Sequence, residues 1–343
     1  MIKLSNWYLE GYTDIEDTLE NLLANREINN PIEWDLRPLT YRVVEKQDFP
    51  LDRIHEIEVE GDSVRFIYFN VVVEKLKRNW LPEQILEDRI NVYQSDILIY
   101  QDGNKVRLIV MSSKTNSVRI IKSFFDQERW GGVVEENNID KDLLYWVFYR
   151  LREFPNTQLI EDSGLYLTGL VSYMGKSKDE INAVRGQGVR VGALLGTLAF
   201  IFNDDNLKAL KPEIQFNDHT IIAEINFNNA HKIDDASYRG EFIALDEECK
   251  IIALTILMCK TIVPRLEEAY SVSKELGEWS PQIKLVFLRN IGNTIAETVE
   301  CQMNRIHEEI RNMEKGREEP EVDEEEFDLD LEALEEEMED ADI

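Results

Sequence analysis

Two runs of alternating β-formers meet at Asp102-Gly103-Asn104, and this turn constrains the fold more than any other stretch. Residues 92–101 enter it with Ile97 and Ile99, and residues 105–112 leave it with Leu108 and Val110. Asp-Gly supplies the backbone angles of a tight hairpin, so an antiparallel sheet is required. Residues 55–60 and 63–69 alternate in the same way around Gly61-Asp62 and predict a second hairpin.

Helical spacing surrounds these strands. Residues 14–25 place Ile15, Leu19, Leu22 and Leu23 on one side behind Thr13 or Asp14 as N-cap. Residues 82–90 predict a short helix with Pro in its first turn, and residues 117–129 take helical period through Val118, Ile121 and Phe125. Gly131-Gly132 and the polar run Glu135-Glu136-Asn137-Asn138 break the pattern, so a domain boundary is expected near residue 130. Beyond it, residues 140–152 predict a helix, 165–174 a strand, 189–202 a nearly all-apolar buried helix, and 213–216 with 220–227 two strands. Asp246 starts an apolar helix that Pro264 kinks or ends. Ser280-Pro281 starts another, reaching about residue 313. Its stripe of Leu288, Ile291, Ile295, Val299, Met303, Ile306 and Ile310 either seals a core, the favoured reading, or meets a partner helix. The expected class is α+β: a mixed N-terminal domain with β-hairpins over 1–130, a helix-rich C-terminal domain with a few strands over 131–313, and a disordered acidic tail over 314–343.

Composition limits the chemistry. At 343 residues and 43% hydrophobic content, a conventional core needs no disulfide or metal staple. Cys249, Cys259 and Cys301 form no C-x-x-C pair and read as free thiols. His55, His219, His231 and His307 are dispersed, and any metal site on one of them would need carboxylates from far along the chain. No metal or other cofactor is therefore assigned. Gly186, Gly188, Gly192 and Gly196 match neither a dinucleotide fingerprint nor a P-loop. Gly188, Gly192 and Gly196 are expected on one helix face, where they allow close packing. No run is long and apolar enough to span a membrane, the N-terminal residues lack a signal-peptide pattern, and a cytoplasmic location is expected.

Charge is the other strong signal. The net charge is -30, and residues 318–343 hold sixteen carboxylates without a Lys, Arg or His. Within that tail Phe327, Leu331, Leu334 and Met338 recur at helical spacing. One reading is a solvated, disordered extension. The other is an acidic amphipathic segment that folds on a basic groove, a partner's or its own. Two local basic stretches run against the acidic background. Residues 105–129 include Lys114, Arg119 and Lys122, and residues 176–190 include Arg185 and Arg190. These five are the candidate anion or nucleic-acid contacts.

One hairpin has a chemical resemblance. Ser95-Asp96-Ile97-Leu98-Ile99-Tyr100, then Leu108-Ile109-Val110-Met111-Ser112-Ser113-Lys114, resembles the core of PD-(D/E)xK nucleases. The resemblance implies a Mg²⁺-holding acid at Asp96 and a water-orienting Lys114. Ser112 stands where the second acid belongs, and Glu87 on the preceding helix is the candidate substitute.

The leading expectation is a non-enzymatic adaptor or regulatory subunit of a multi-protein system. Its tail, through Phe327, Leu331, Leu334 and Met338, contacts a partner's basic apolar groove or inhibits the protein itself. The alternative is a nucleic-acid-directed protein, as in bacterial defence against foreign DNA, with a degenerate nuclease-like hairpin; only then would Mg²⁺ be used. Residues 281–313 are the candidate oligomerisation helix, and no membrane partner is expected.

Overall fold

The computed structural model describes residues 1–315 apart from 32–37, 80, 82, 137–138, 178–180, 189–190 and 204–205. The strands are β1 (Ile2–Leu9), β2 (Glu27–Asn30), β3 (Leu39–Glu45), β4 (His55–Val59), β5 (Asp62–Leu76), β6 (Ile90–Asp102), β7 (Lys105–Val110), β8 (Val133–Glu135), β9 (Leu165–Lys176), β10 (Ala183–Gln187), β11 (Asn206–Phe216), β12 (His219–Asn226) and β13 (Ala230–Ile233). The helices are α1 (Ile15–Ala24), α2 (Leu86–Arg89), α3 (Lys114–Phe124), α4 (Gln127–Trp130), α5 (Lys141–Glu153), α6 (Leu195–Phe202), α7 (Glu247–Ile256), α8 (Val263–Glu275) and α9 (Pro281–Lys315). The fold is mixed α+β: a 13-stranded antiparallel sheet and then a helical C-terminal region. Among the described residues no helix is long and apolar enough to cross a membrane.

The two predicted hairpins are present. β6 and β7 pair from Ile97↔Val110 to Asp102↔Lys105, with Gly103 at φ 56° in the turn. β4 and β5 pair around Glu60 (φ 53°) and Gly61 (φ 78°). The sheet order is β10-β9-β11-β12-β13-β1-β7-β6-β5-β3-β2, with β4 on β5 and β8 on β1. The boundary expected near residue 130 therefore lies within one continuous sheet. The chain divides into two compact units, Met1–Gly292 and Asn293–Ile343.

In the first unit both faces of the central strands are buried. Ile67, Phe69, Val71, Ile97, Ile99, Leu108 and Val110 form one core with Trp7, Ile15, Leu22, Ile120, Phe124 and Trp130, so α1, α3 and α4 cover that face. On the opposite face Phe66, Tyr68, Leu98, Tyr100 and Ile109 are also buried, and Phe49 packs on the rings of Phe66 and Tyr68. Burying each such side chain contributes roughly 1.5–3 kcal/mol. The caps are those the sequence indicates. Asp14 accepts from the Glu16 N–H at 3.0 Å, Asp140 from Asp142 at 2.9 Å and Asp246 from Cys249 at 2.9 Å. The α7–α8 helix is continuous through a π-helical turn, Leu257–Ile262, which ends two residues before Pro264. Proline removes one helical N–H, and the wider turn absorbs the change in hydrogen-bond register.

Three expectations are corrected. The all-apolar helix expected over 189–202 is shorter: among its described residues Val191–Ala193 is a 3₁₀ turn and only α6, Leu195–Phe202, is α-helical. Gly188, Gly192 and Gly196 do not share a helix face, since Gly188 sits at φ 143° outside any helix. The close approach falls instead at Gly186 on β10, where a Cβ would lie 2.2 Å from the Tyr173 ring. The α9 stripe is also only partly core. Ile291 is buried, whereas Val299, Met303, Ile306 and Ile310 of the second unit are each at least 45% exposed.

Tyr173 is 4% exposed, and a Cβ at residue 186 would also lie 2.9 Å from the Val191 side chain. Gly186→Ala is expected to lower stability by roughly 1–3 kcal/mol through overpacking, read as a reduced urea midpoint with an unchanged slope.

Candidate functional site

Strand register assembles a cationic row on one face of the first unit. In antiparallel pairs directly opposed residues share a face, as do residues two apart on one strand. Lys3 on β1 opposes Lys232 on β13, and Lys232 opposes Glu224 on β12. Asn226, two residues on from Glu224, opposes Ala209; Ala209 opposes Met174, and Met174 opposes Arg185. The alternate residues of β12, Ile221, Ala223 and Ile225, are buried on the other face. α5 packs against β9 and β11.

Two adjoining cavities, about 320 and 200 Å³, lie along this row and share Lys3, Met174, Glu224 and Lys232 as walls. Arg185 and Lys211 line the first and Lys114 the second. Five cationic side chains thus face the groove against one lining carboxylate, Glu224. In a chain with 38 basic and 68 acidic residues, that local excess runs against the composition.

The charges are partly compensated. Lys232 pairs with Glu224 at 2.5 Å, Lys211 with Asp234 at 2.7 Å, and Lys114 with Glu135. Burial opposes the Glu224 charge, but hydrogen bonds from Lys232 and Asn226 and the charges of Lys232 and Arg185 outweigh it and lower its pKa. Among the described residues Lys3 and Arg185 have no ion-pair partner, and both are exposed. Like charges directly opposed across strands, as in Lys3 and Lys232, cost a few tenths to about 1 kcal/mol. An anion laid along the row removes that cost.

The sequence candidates are distributed unevenly. Lys114 and Arg185 come to this groove. Arg119, on α3, does not line it: its guanidinium lies 4.9 Å from the ring centroid of Tyr93 on β6. Arg119 and Lys122 instead lie near Lys75, whose pKa is lowered by burial and then by those two charges. Arg190, Phe327, Leu331, Leu334 and Met338 lie outside the described residues. Lys3, Lys211 and Lys232 were missed. Each is a single cation in a strand, and only the pairing of β1, β11, β12 and β13 joins them.

The nuclease-like residues do not converge. Asp96 projects from β6 beside its cross-strand neighbour Asn70. It accepts from Asn70 Nδ2 at 2.9 Å and the Tyr68 hydroxyl at 3.2 Å, and pairs with Lys46 at 3.1 Å. Lys46 also reaches Glu248 at 3.1 Å, so the cluster ties the segment after β3 and α7 to the sheet. Burial and the Asp96 charge both raise the Tyr68 pKa. β7 stops at Val110, and Lys114 begins α3 rather than extending the strand. Its ammonium sits 4.2 Å from the Trp7 ring centroid. Glu87 is exposed on α2, and β6 runs about 20 Å from Ile90, next to that helix, to Asp96.

Compared with models of known protein families the chain matches none, and no curated protein matches it.

His231 flanks the groove, opposite Leu4 on β1, and is 2% exposed. Burial, and then the Lys114 charge, lower its pKa to about 4, with Glu224 opposing. The unfolded chain protonates His231 near pH 6.5, whereas the folded chain does not until about pH 4. This contribution is present above about pH 6.5 and is lost as pH falls towards 4, on the order of 2–3 kcal/mol. His231→Gln is expected to flatten that part of the stability profile, read from urea midpoints at several pH values between those limits.

Proposed function

We propose that this protein is a non-enzymatic adaptor or regulatory subunit whose cationic groove takes an acidic, amphipathic polypeptide segment. The observation that carries the reading is the row of Lys3, Lys232 and Arg185 on an open sheet face of a strongly acidic chain. Carboxylates satisfy the row, and the Met174 side chain between its cations is 39% exposed, which favours a ligand with apolar residues as well. Residues 318–343 have that composition. Supplied by the same chain they act as an inhibitor of the groove, and supplied by another copy or a partner they act as a tether. Phe327, Leu331, Leu334 and Met338 are the apolar contacts in this reading. Affinity then rests on charge pairs at the surface, so it falls with salt over a Debye length of about 8 Å at physiological ionic strength.

A second reading draws on the same row: a nucleic-acid-directed protein whose groove follows a phosphate backbone and whose nuclease-like hairpin is degenerate. The two cations of the row outside any ion pair among the described residues, Lys3 and Arg185, favour it, because each phosphate contact needs a local cation. The exposed distal α9 stripe adds an oligomerisation surface for a second helix in either reading.

The test titrates the full chain into a labelled peptide spanning residues 318–343 and, separately, into a labelled single-stranded oligonucleotide. Lys3→Glu with Arg185→Glu, both exposed, is expected to weaken peptide binding at least about tenfold without changing the melting temperature. Equal peptide affinity in the double variant defeats the adaptor reading. Loss of oligonucleotide binding alone transfers the groove to the second.

A further inference from the structure

A second constellation lies away from the groove, where three turns of the first unit meet. Glu60 occupies the turn between β4 and β5. His219 is the first residue of β12, just after the turn at Asn217. Glu241 opens a 3₁₀ turn, Glu241–Ala244. His219 Nε2 is 2.5 Å from Glu60 Oε1 and 3.8 Å from Glu241 Oε1. One donor atom from each of the three residues lies within 4.8 Å of the other two.

We infer that Glu60, His219 and Glu241 form a binding site for a borderline divalent transition metal of the Zn²⁺ type, with open coordination positions for water or an anionic ligand. One imidazole and two carboxylates suit such an ion, whereas Mg²⁺ and Ca²⁺ prefer all-oxygen sets. Metal–ligand bonds of about 2.0–2.2 Å separate tetrahedral ligands by roughly 3.2–3.6 Å. Glu60 and His219 must therefore part by about 1 Å. Glu241 must close slightly, and its side chain is 64% exposed and has room to do so. The same exposure leaves the remaining coordination positions facing solvent. Three protein ligands plus open positions is the pattern of reactive rather than purely structural zinc sites.

The surrounding groups orient the ligands. His219 is 1% exposed, and its ring stacks on Tyr238 and lies against Phe242. Its Nδ1 is 2.6 Å from the Tyr238 hydroxyl, which also accepts from the Phe242 N–H at 3.2 Å. Asn217 Nδ2 donates to the other oxygen of Glu60 at 2.5 Å. A Cβ at residue 240 would lie 2.5 Å from the Tyr238 hydroxyl and 2.7 Å from His219 Nδ1, so Gly240 leaves space for that pair. Such outer partners fix the tautomer and ring orientation of a metal-bound histidine.

The protons balance. Without metal, a neutral His219 carries its proton on Nε2 and donates it to Glu60, and the Tyr238 hydroxyl donates to Nδ1. With metal, Nε2 presents its lone pair, a proton is lost there and one is gained at Nδ1, and the Tyr238 hydroxyl turns to accept it. A phenol serves as donor or acceptor equally well, so the exchange needs no net proton release.

The experiment uses the full chain, freed of metal by chelator and titrated with Zn²⁺ against a chromophoric competitor, and with Co²⁺ followed by its visible absorption. One equivalent is expected to bind at micromolar or tighter affinity and to raise the melting temperature. Glu241→Gln removes an exposed carboxylate and should fold normally. It is expected to weaken binding at least about tenfold, and Asn217→Ala to weaken it less. A cobalt spectrum with a thiolate charge-transfer band would place the ion on a cysteine and overturn the assignment. Unchanged affinity in Glu241→Gln, or no binding at millimolar metal, would reduce the three residues to a hydrogen-bonded pin between turns. None of these results depends on peptide or nucleic-acid binding at the groove.

Discussion

The sheet depends on the short strand Ile2–Leu9. One edge of β1 pairs with β7 from Ser5 to Leu9. The other pairs with β13 from Ile2 to Ser5 and then with β8 from Trp7 to Leu9. Among the described residues, the strand ladder that joins the early hairpins to the later strands runs through these eight residues. Backbone donors and acceptors in a buried strand must be paired. The two sets of strands therefore cannot close separate sheets without orphaning one edge of β1.

This arrangement explains why the cations gather where they do. Face alternation sends Trp7 and Leu9 into the core beneath α1, α3 and α4. The same face of β1 continues to Lys3, where β13 sets Lys232 beside it and β10, at the far edge of the sheet, contributes Arg185. A sheet face without a covering helix must carry polar or charged residues. That requirement accounts for charge of some kind. It does not account for an excess of positive charge in a chain of net charge -30.

Much of the local structure was readable from short-range signals. The hairpins around Asp102-Gly103-Asn104 and Gly61-Asp62, the caps at Asp14, Asp140 and Asp246, and the start at Ser280-Pro281 depend on residues within a few positions of one another. Residues 189–202 misled because apolar content alone does not distinguish a helix from a 3₁₀ turn and a shorter helix. The candidate sites were far less legible. Lys114 and Arg185 were found as members of basic stretches, but Arg119 and Lys122 belong to the same stretch as Lys114 and lie elsewhere. Helix α3 carries them off the strand that Lys114 was expected to end. His219 looked solitary because Glu60 arrives through the turn of a distant hairpin. Long-range strand pairing decided each case, and no local pattern encodes it.

The β12–β13 hairpin has a further consequence. Its two strands meet through only two residue pairs, Ala223↔Ile233 and Glu224↔Lys232. β9, β10, β11 and β12 thus join the remaining strands across the narrowest seam in the sheet. The Lys232–Glu224 ion pair sits on that seam, with Arg185 on one side and Lys3 on the other. Whatever lies along the row also acts as a splint across the joint, so occupancy and the relative stiffness of the two wings are coupled by construction.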